Sequence, residues 1–178
     1  MSSFETVLAS ERIYEGHLIN LRVDQIRTPA GVESVREIVE HPGAIAIIAL
    51  DEAGRVLLVK QYRHAVRAVT LEIPAGILDA GEEPVAAAQR ELREETGYRA
   101  AQIDRLGGIY TAPGFSTEYI HFFLATQLVP DRLAMDEDEV IDLIRLPLSE
   151  AIDLIRAGQI DDGKSVSGLL LAQVWLNK

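Results

Sequence analysis

The sequence predicts an α/β fold in which helices cover a mixed central sheet. Residues 44–50 are nearly all apolar and rich in β-branched side chains, which is typical of a strand buried on both faces. Residues 51–54 form a turn into a second apolar run at 56–59, so the pair predicts a central hairpin. A helix is predicted at 84–96, and strands and helices interleave with hairpins elsewhere. We therefore expect an α/β sandwich.

The first forty residues are predicted to form a small antiparallel β unit. Short alternating stretches at 18–23 and 34–39 indicate strands, and a break at His41-Pro42-Gly43 follows them. We expect a strand region at 1–40 and one larger domain at 41–178.

The helix at 84–96 has recognisable start and stop signals. Pro84 suits the first helical position, and Gly97 supplies a carboxyl-terminal stop. Its predicted core stripe consists of Val85, Ala88 and Leu92.

Further strands are predicted at 103–110, 120–125 and 140–146, and a further helix at 149–157. The last helix, 165–176, has apolar residues at helical spacing that predict its core face: Val166, Leu169, Leu170 and Val174.

Composition and charge narrow the class of protein. The 28 acidic and 17 basic residues give a formal charge of −11, so we expect no nucleic-acid partner. The chain has no cysteine, which excludes disulfides, thiolate nucleophiles and Cys-bound zinc. No apolar run approaches the ~20 residues of a membrane span, and no signal peptide is recognisable. We expect a cytoplasmic protein with no membrane partner.

Three glutamates share one face of the predicted helix. Glu91, Glu94 and Glu95 stand at i, i+3 and i+4, and the last two lie at the helix end where partial negative charge accumulates. Such a cluster suits a hard divalent cation, which prefers oxygen ligands. A solvated acidic face is the alternative for the helix taken alone.

The segment preceding the helix favours the metal interpretation. Loop and helix together read G-x5-E-x7-R-E-U-x-E-E-x-G-U, where U is a bulky apolar residue. The fixed positions of this pattern are occupied by Gly76, Glu82, Arg90, Glu91, Leu92, Glu94, Glu95, Gly97 and Tyr98. This pattern resembles the Nudix box. Tyr98 departs from the usual aliphatic residue, and we expect it only to pack. The resemblance implies a Nudix α/β/α sandwich that hydrolyses derivatives of nucleoside diphosphates.

The resemblance also implies roles for the residues of this segment. The Ala75 carbonyl, Glu91, Glu94 and Glu95 would hold Mg²⁺ or Mn²⁺, with Glu94 also assisting catalysis. Glu82 and Arg90 would form a supporting pair, and Gly76 would let the backbone turn closely around a metal-bound phosphate.

Residues outside the box indicate the substrate. Pro113 follows the box by some fifteen residues, as in ADP-ribose pyrophosphatases, and segments 36–41, 61–63, 71–76 and 136–139 resemble bacterial members in the same order. The resemblance implies hydrolysis of ADP-ribose to AMP and ribose 5-phosphate. Another nucleotide sugar or NADH as substrate, and a non-catalytic module that senses nucleotides, remain alternatives.

The resemblance further implies a homodimer whose amino-terminal strands exchange between subunits. Arg36, Glu37 and Leu18 would then reach the partner's substrate. In the segment 111–118, Ala112, Pro113, Gly114 and Glu118 are the expected substrate contacts, with Glu118 accepting hydrogen bonds from the terminal ribose.

Arg63 and the acidic loop at 136–139 are expected to have roles in phosphate binding and in catalysis. Arg63 follows a strand, and its guanidinium is expected to clamp a phosphate in the cleft. By alignment with the family, Glu137 is the general base and Glu139 a further metal ligand. The alternative for this loop is a solvated acidic surface, and the choice between the two glutamates as base stays open.

Overall fold

A computed structural model describes residues 4–134 and 141–177. The chain forms two compact units. An amino-terminal unit contains the residues up to Gly43 together with Tyr110–Tyr119, and a main unit contains Ala44–Ile109 and the chain from Ile120 onward. The inclusion of Tyr110–Tyr119 in the first unit is not indicated by the sequence.

The amino-terminal unit is built on an antiparallel sheet, as predicted, and this sheet has three strands. These are β1 (Thr6–Glu15), β2 (Asn20–Arg27) and β3 (Glu33–Glu40), with β2 in the centre. Asp24 on β2 is buried, and its carboxylate accepts hydrogen bonds from Ser10 Oγ at 2.6 Å and Arg22 Nε at 3.2 Å.

The main unit is built on a mixed sheet of seven strands. These are β4 (Ala44–Leu50), β5 (Arg55–Arg63), β6 (Ala68–Glu72), β7 (Ala75–Ile77), β8 (Tyr98–Tyr110), β9 (Tyr119–Pro130) and β10 (Asp142–Pro147). The order is β10-β5-β4-β9-β8, while β6 pairs with β5 and β7 pairs with β4. The β4–β9 pair is parallel, and the predicted hairpin of β4 and β5 is antiparallel.

Helices cover both faces of this sheet, which confirms the predicted α/β/α sandwich. They are α1 (Pro84–Glu91), which continues into a π-helical turn at Leu92–Thr96, α2 (Leu148–Arg156) and α3 (Gly163–Leu176). Every residue of β4 is buried. Ile45 and Ile47 pack on the side of α1, and Ala46 and Ile48 on the side of α2 and α3, as strand alternation requires.

The core stripe predicted for the first helix is wrong at Val85. Ala88 and Leu92 are buried, but Val85 is 45% exposed and Ala87 is buried in its place. At about 100° per residue, the midpoint between Ala87 and Ala88 lies roughly a third of a turn away from Val85.

The core face predicted for α3 is also partly wrong. Leu169 is buried, but Leu170 and Val174 are 41% and 65% exposed. The buried positions are Ser165, Gly168, Leu169 and Ala172. Small residues dominate this face, so the helix lies close to the sheet and hydrophobicity alone did not identify it. Within the described residues, no helix is long and apolar enough to cross a membrane.

Replacing Gly168 with Ala should lower the free energy of unfolding. An added Cβ would lie 2.7 Å from Ile73 Cδ1 and 3.1 Å from two ring atoms of Phe122, all buried. Overpacking of this kind costs about 1–3 kcal/mol, which exceeds the gain of up to ~1 kcal/mol in helix propensity. Urea denaturation measures the loss. The matched control is Gly163→Ala in the same helix, where no atom lies within 4 Å of the added Cβ. Equal stability of the two variants would contradict the close packing.

Candidate active site

The helix with three glutamates lies against the short strand β7. Gly76 of β7 pairs with Ile45 of the buried strand β4, which fixes the position of its backbone. A Cβ on Gly76 would lie 1.9 Å from Cδ and Oε1 of Glu91. Only glycine therefore leaves room for the Glu91 carboxylate beside this backbone.

Glu95 lies in the π-helical turn and is only 3% exposed. Its Oε2 accepts a hydrogen bond from the backbone N–H of Ala75 at 3.1 Å. Two of the three glutamates thus meet the loop residues that the sequence analysis places beside them. Single π-helical turns inside α-helices are frequent at functional sites.

Arg90 is the cation that offsets this negative charge. Its Nε and Nη2 donate to the Glu82 carboxylate at 3.1 and 3.0 Å, and its Nη1 donates to Glu91 at 2.6 Å and Glu94 at 3.0 Å. The Arg90 guanidinium lowers the pKa of Glu82, and the surrounding carboxylates raise the pKa of Arg90. The pairing of Glu82 with Arg90 that the resemblance implies is present.

The donor chemistry of this site fits a divalent cation. Across residues 4–134 and 141–177, no three His, Asp or Glu side chains converge into a ready-made metal site, because Glu91 and Glu94 point to Arg90 and Glu95 to Ala75 N–H. All three carboxylates nevertheless supply the hard oxygen ligands that Mg²⁺ and Mn²⁺ prefer. The absent Cβ at Gly76 leaves room for the Glu91 carboxylate itself.

Arg63 is held by a buried glutamate that the sequence analysis assigned no role. Its Nε and Nη2 donate to the two oxygens of Glu72 at 2.9 and 2.7 Å. Thr70 Oγ1 also donates to Glu72 at 2.6 Å, and Lys164 Nζ makes a short contact with it. A charged residue at the end of an apolar strand signals such pairing, but the sequence does not reveal the partner.

The environment of Glu72 lowers its pKa strongly. Burial raises the pKa, but the Arg63 hydrogen bond, the charge and hydrogen bond of Lys164 and the Thr70 hydroxyl together bring it to about 2, from an ordinary 4.5. The unfolded chain therefore binds more protons than the folded chain between those two values. The stabilisation is complete above about pH 4.5 and is lost as the pH falls towards 2.

Replacing Glu72 with Gln should lower the free energy of unfolding by about 3 kcal/mol at pH 7. The difference from the wild type should shrink as the pH falls from 4.5 towards 2, because the wild-type carboxyl then becomes neutral. Urea denaturation at a series of pH values measures this. Glu150→Gln is an exposed control that should change stability by less than about 0.5 kcal/mol. A difference for Glu72→Gln that does not vary with pH would contradict the ion-pair account.

The amino-terminal unit brings three predicted substrate contacts together. Arg36, Glu37 and Gly114 line a cavity of about 470 Å³, which is within the usual range for ligand sites. Glu37 is exposed, whereas Arg36 forms an ion pair with Glu5. Leu18 lines a separate cavity of about 420 Å³.

The segment containing Ala112 and Pro113 forms a tight turn. The Ala112 carbonyl accepts from Phe115 N at 3.0 Å and Ser116 N at 2.8 Å. Glu118 follows the turn, and its carboxylate accepts from Thr111 Oγ1 at 2.7 Å and lies 3.7 Å from His41 Nε2. Glu118 is therefore held in a fixed position. Glu137 and Glu139 lie outside the described residues.

A three-layer sandwich in which a helix that carries three glutamates lies against a short strand containing glycine is the architecture of Nudix hydrolases. The NUDIX domain model matches residues 40–167, and the chain belongs to this family. Residues 5–39 match a second model, the nucleoside diphosphate sugar hydrolase N-terminal domain.

Individual proteins are similar over nearly the whole chain. ADP-ribose pyrophosphatase of Bacillus subtilis (strain 168) is 39% identical over 172 residues, covering 96% of this chain and 93% of the relative. A methanol dehydrogenase activator of Bacillus methanolicus is 42% identical over 172 residues, covering 96% of this chain and 93% of the relative. A crystal structure of an ADP compounds hydrolase has a TM-score of 0.88 at 27% identity, covering 97% of this chain and 94% of that chain.

Proposed function

We propose that this protein is an ADP-ribose pyrophosphatase, which cleaves ADP-ribose to AMP and ribose 5-phosphate with Mg²⁺ or Mn²⁺. The observation that carries the proposal is the meeting of Glu91 and Glu95 with the backbone of Ala75 and Gly76. A relative of 39% identity is an ADP-ribose pyrophosphatase, and a structural neighbour is an ADP compounds hydrolase.

Glu91, Glu94, Glu95 and the Ala75 carbonyl would hold the cation. A bound divalent cation supplies charge stabilisation on the phosphate oxygens and lowers the pKa of a water molecule. Arg63 would donate hydrogen bonds to the diphosphate. Glu137 would accept the proton from the attacking water, and Glu139 would add a further ligand; the resemblance supports both roles.

The amino-terminal unit would contribute substrate contacts from Arg36, Glu37, Ala112, Pro113, Gly114 and Glu118. The Glu118 carboxylate is suited to ribose hydroxyls, because it is an acceptor whose position Thr111 fixes. We further propose a cytoplasmic homodimer with exchanged amino-terminal strands, which the family resemblance supports.

A second candidate is the same chemistry on another nucleotide sugar. The match of residues 5–39 to the nucleoside diphosphate sugar hydrolase N-terminal domain favours it. The two candidates share the helix that carries Glu91, Glu94 and Glu95, and they differ in the substrate group beyond the diphosphate.

The test is a substrate panel of ADP-ribose, other nucleotide sugars, NADH and dinucleoside polyphosphates. Phosphate release is followed with alkaline phosphatase present, and kcat/KM values are compared, since specificity is a ratio of these values. We expect ADP-ribose to lead clearly. Another leading compound would overturn the substrate proposal while keeping the chemistry, and no turnover of any compound would favour a nucleotide-sensing module.

A further inference from the structure

Glu72 lies at the centre of a buried network that joins three elements of the main unit. Its side chain is 2% exposed and accepts hydrogen bonds from Arg63 at the end of β5, Thr70 on β6 and Lys164 on α3. Lys164 Nζ also donates to Asp162 at 2.8 Å. The two cations and two carboxylates balance, so the network carries no net charge.

The network leaves one edge of the Arg63 guanidinium available. Nε and Nη2 are both held by Glu72, whereas Nη1 has no hydrogen-bond partner within 4–134 and 141–177. The Arg63 side chain is 42% exposed. A guanidinium group held at two nitrogens has lost most of its rotational freedom, so its remaining N–H groups point in a fixed direction.

The strand that ends at Arg63 contacts the π-helical turn that contains Glu95. The Glu72 hydrogen bond is the main cause that raises the pKa of Arg63, and the negative charges of Glu95 and Asp162 add to it. The negative charge of Glu95 thus acts on the guanidinium of Arg63.

The same network reaches the loop beside the glutamates. The backbone N–H of Ile73 donates to Ser165 Oγ at 2.9 Å, and Ser165 Oγ donates to Asp162 at 2.6 Å. Ile73 directly follows Glu72 and precedes Ala75 by two residues. The network thus joins Arg63, the first turn of α3 and the backbone of Ile73, two residues before Ala75.

We propose that Glu72 is a positioning residue for substrate binding, which clamps Nε and Nη2 of Arg63 so that Nη1 is presented to the substrate diphosphate. This inference rests on the proposed function. Glu72 acts through Arg63 and does not touch the substrate.

The test is a double-mutant cycle on ADP-ribose hydrolysis with Glu72→Gln, Arg63→Ala and the variant that combines them. Glu72→Gln should raise KM about tenfold with kcat within about threefold of the wild type, since a substrate-binding contact is lost. In the Arg63→Ala background, Glu72→Gln should change kcat/KM less than about twofold, because residues that act through one another are not additive. A purely structural role would give additive losses, and additivity would overturn the proposal.

Asp51 provides a matched control at the other end of β5. It accepts from Nε of Arg55 at 2.8 Å in a comparable arginine–carboxylate pair. Asp51→Asn should leave KM unchanged; a rise equal to that of Glu72→Gln would overturn the proposal.

Thr70→Val keeps the test decisive if Glu72→Gln does not fold. It removes one hydrogen bond to Glu72 and leaves Arg63 intact, so KM should rise about threefold in the wild type and stay constant with Arg63→Ala. An unchanged KM in the wild-type background would overturn the proposal. If another nucleoside diphosphate derivative gives the highest kcat/KM in the substrate panel, only the proposed substrate is wrong, and the double-mutant cycle is measured on that compound. Absence of turnover of every compound in the panel overturns both the proposed function and the positioning role of Glu72.

Discussion

Replacing Glu95 with Gln should lower kcat for ADP-ribose by about 10³-fold while the fold is kept. The loss follows from the several kcal/mol of charge stabilisation that a catalytic divalent cation supplies, at ~1.4 kcal/mol per tenfold. The fold should survive because the amide oxygen of Gln can still accept from Ala75 N–H, as Glu95 does at 3.1 Å. Steady-state kinetics measures the loss in kcat. Titration calorimetry with Mn²⁺ measures the loss in metal affinity that should accompany it.

Glu83 is the matched control for Glu95. It directly precedes α1, is exposed, and makes no side-chain capping bond to the helix. Glu83→Gln should leave kcat and Mn²⁺ affinity within about twofold of the wild type. Near wild-type kcat in the Glu95→Gln variant would contradict the metal assignment.

Replacing Gly76 with Ala separates activity from stability. The added Cβ would lie 1.9 Å from the Glu91 carboxyl carbon, so this carboxylate must move away. The atoms displaced belong to the end of a flexible side chain, and the stability loss should stay below about 1 kcal/mol. A misplaced metal ligand should cost about 10²-fold in kcat/KM, since small misplacements at a reacting centre have effects of this size.

Gly163→Ala supplies the comparison for Gly76→Ala. The same methyl group is added where no atom lies within 4 Å, and full activity is expected. Kinetics and thermal unfolding are measured on both variants. Wild-type activity of Gly76→Ala would show that the position of Glu91 beside this glycine does not matter for turnover.

The pattern of apolar and charged residues along the sequence predicted the position of individual strands and helices. The run at 44–50 is β4, because a strand covered on both faces needs apolar residues at every position. The spacing of Glu91, Glu94 and Glu95 likewise predicted a shared helix face. The packing face of α3 was missed in part, since Gly168 and Ala172 are buried for their small size, not for their hydrophobicity.

The contacts around Arg63 could not be predicted from the sequence. Glu72 and Lys164 are 92 positions apart, and no periodicity connects them. The sequence suggested a guanidinium facing a cleft, whereas the structure also shows the carboxylate that holds two of its nitrogens. Arg36 and Gly114 were grouped only by resemblance, and the structure places both on one cavity.

The most direct test of the central claim is chromatographic identification of the products formed from ADP-ribose by the wild-type protein. We expect equal amounts of AMP and ribose 5-phosphate with Mg²⁺ or Mn²⁺ present, and none when a chelator is added. Intact ADP-ribose after incubation with both cations, or equal turnover with the chelator, would contradict metal-dependent pyrophosphate cleavage.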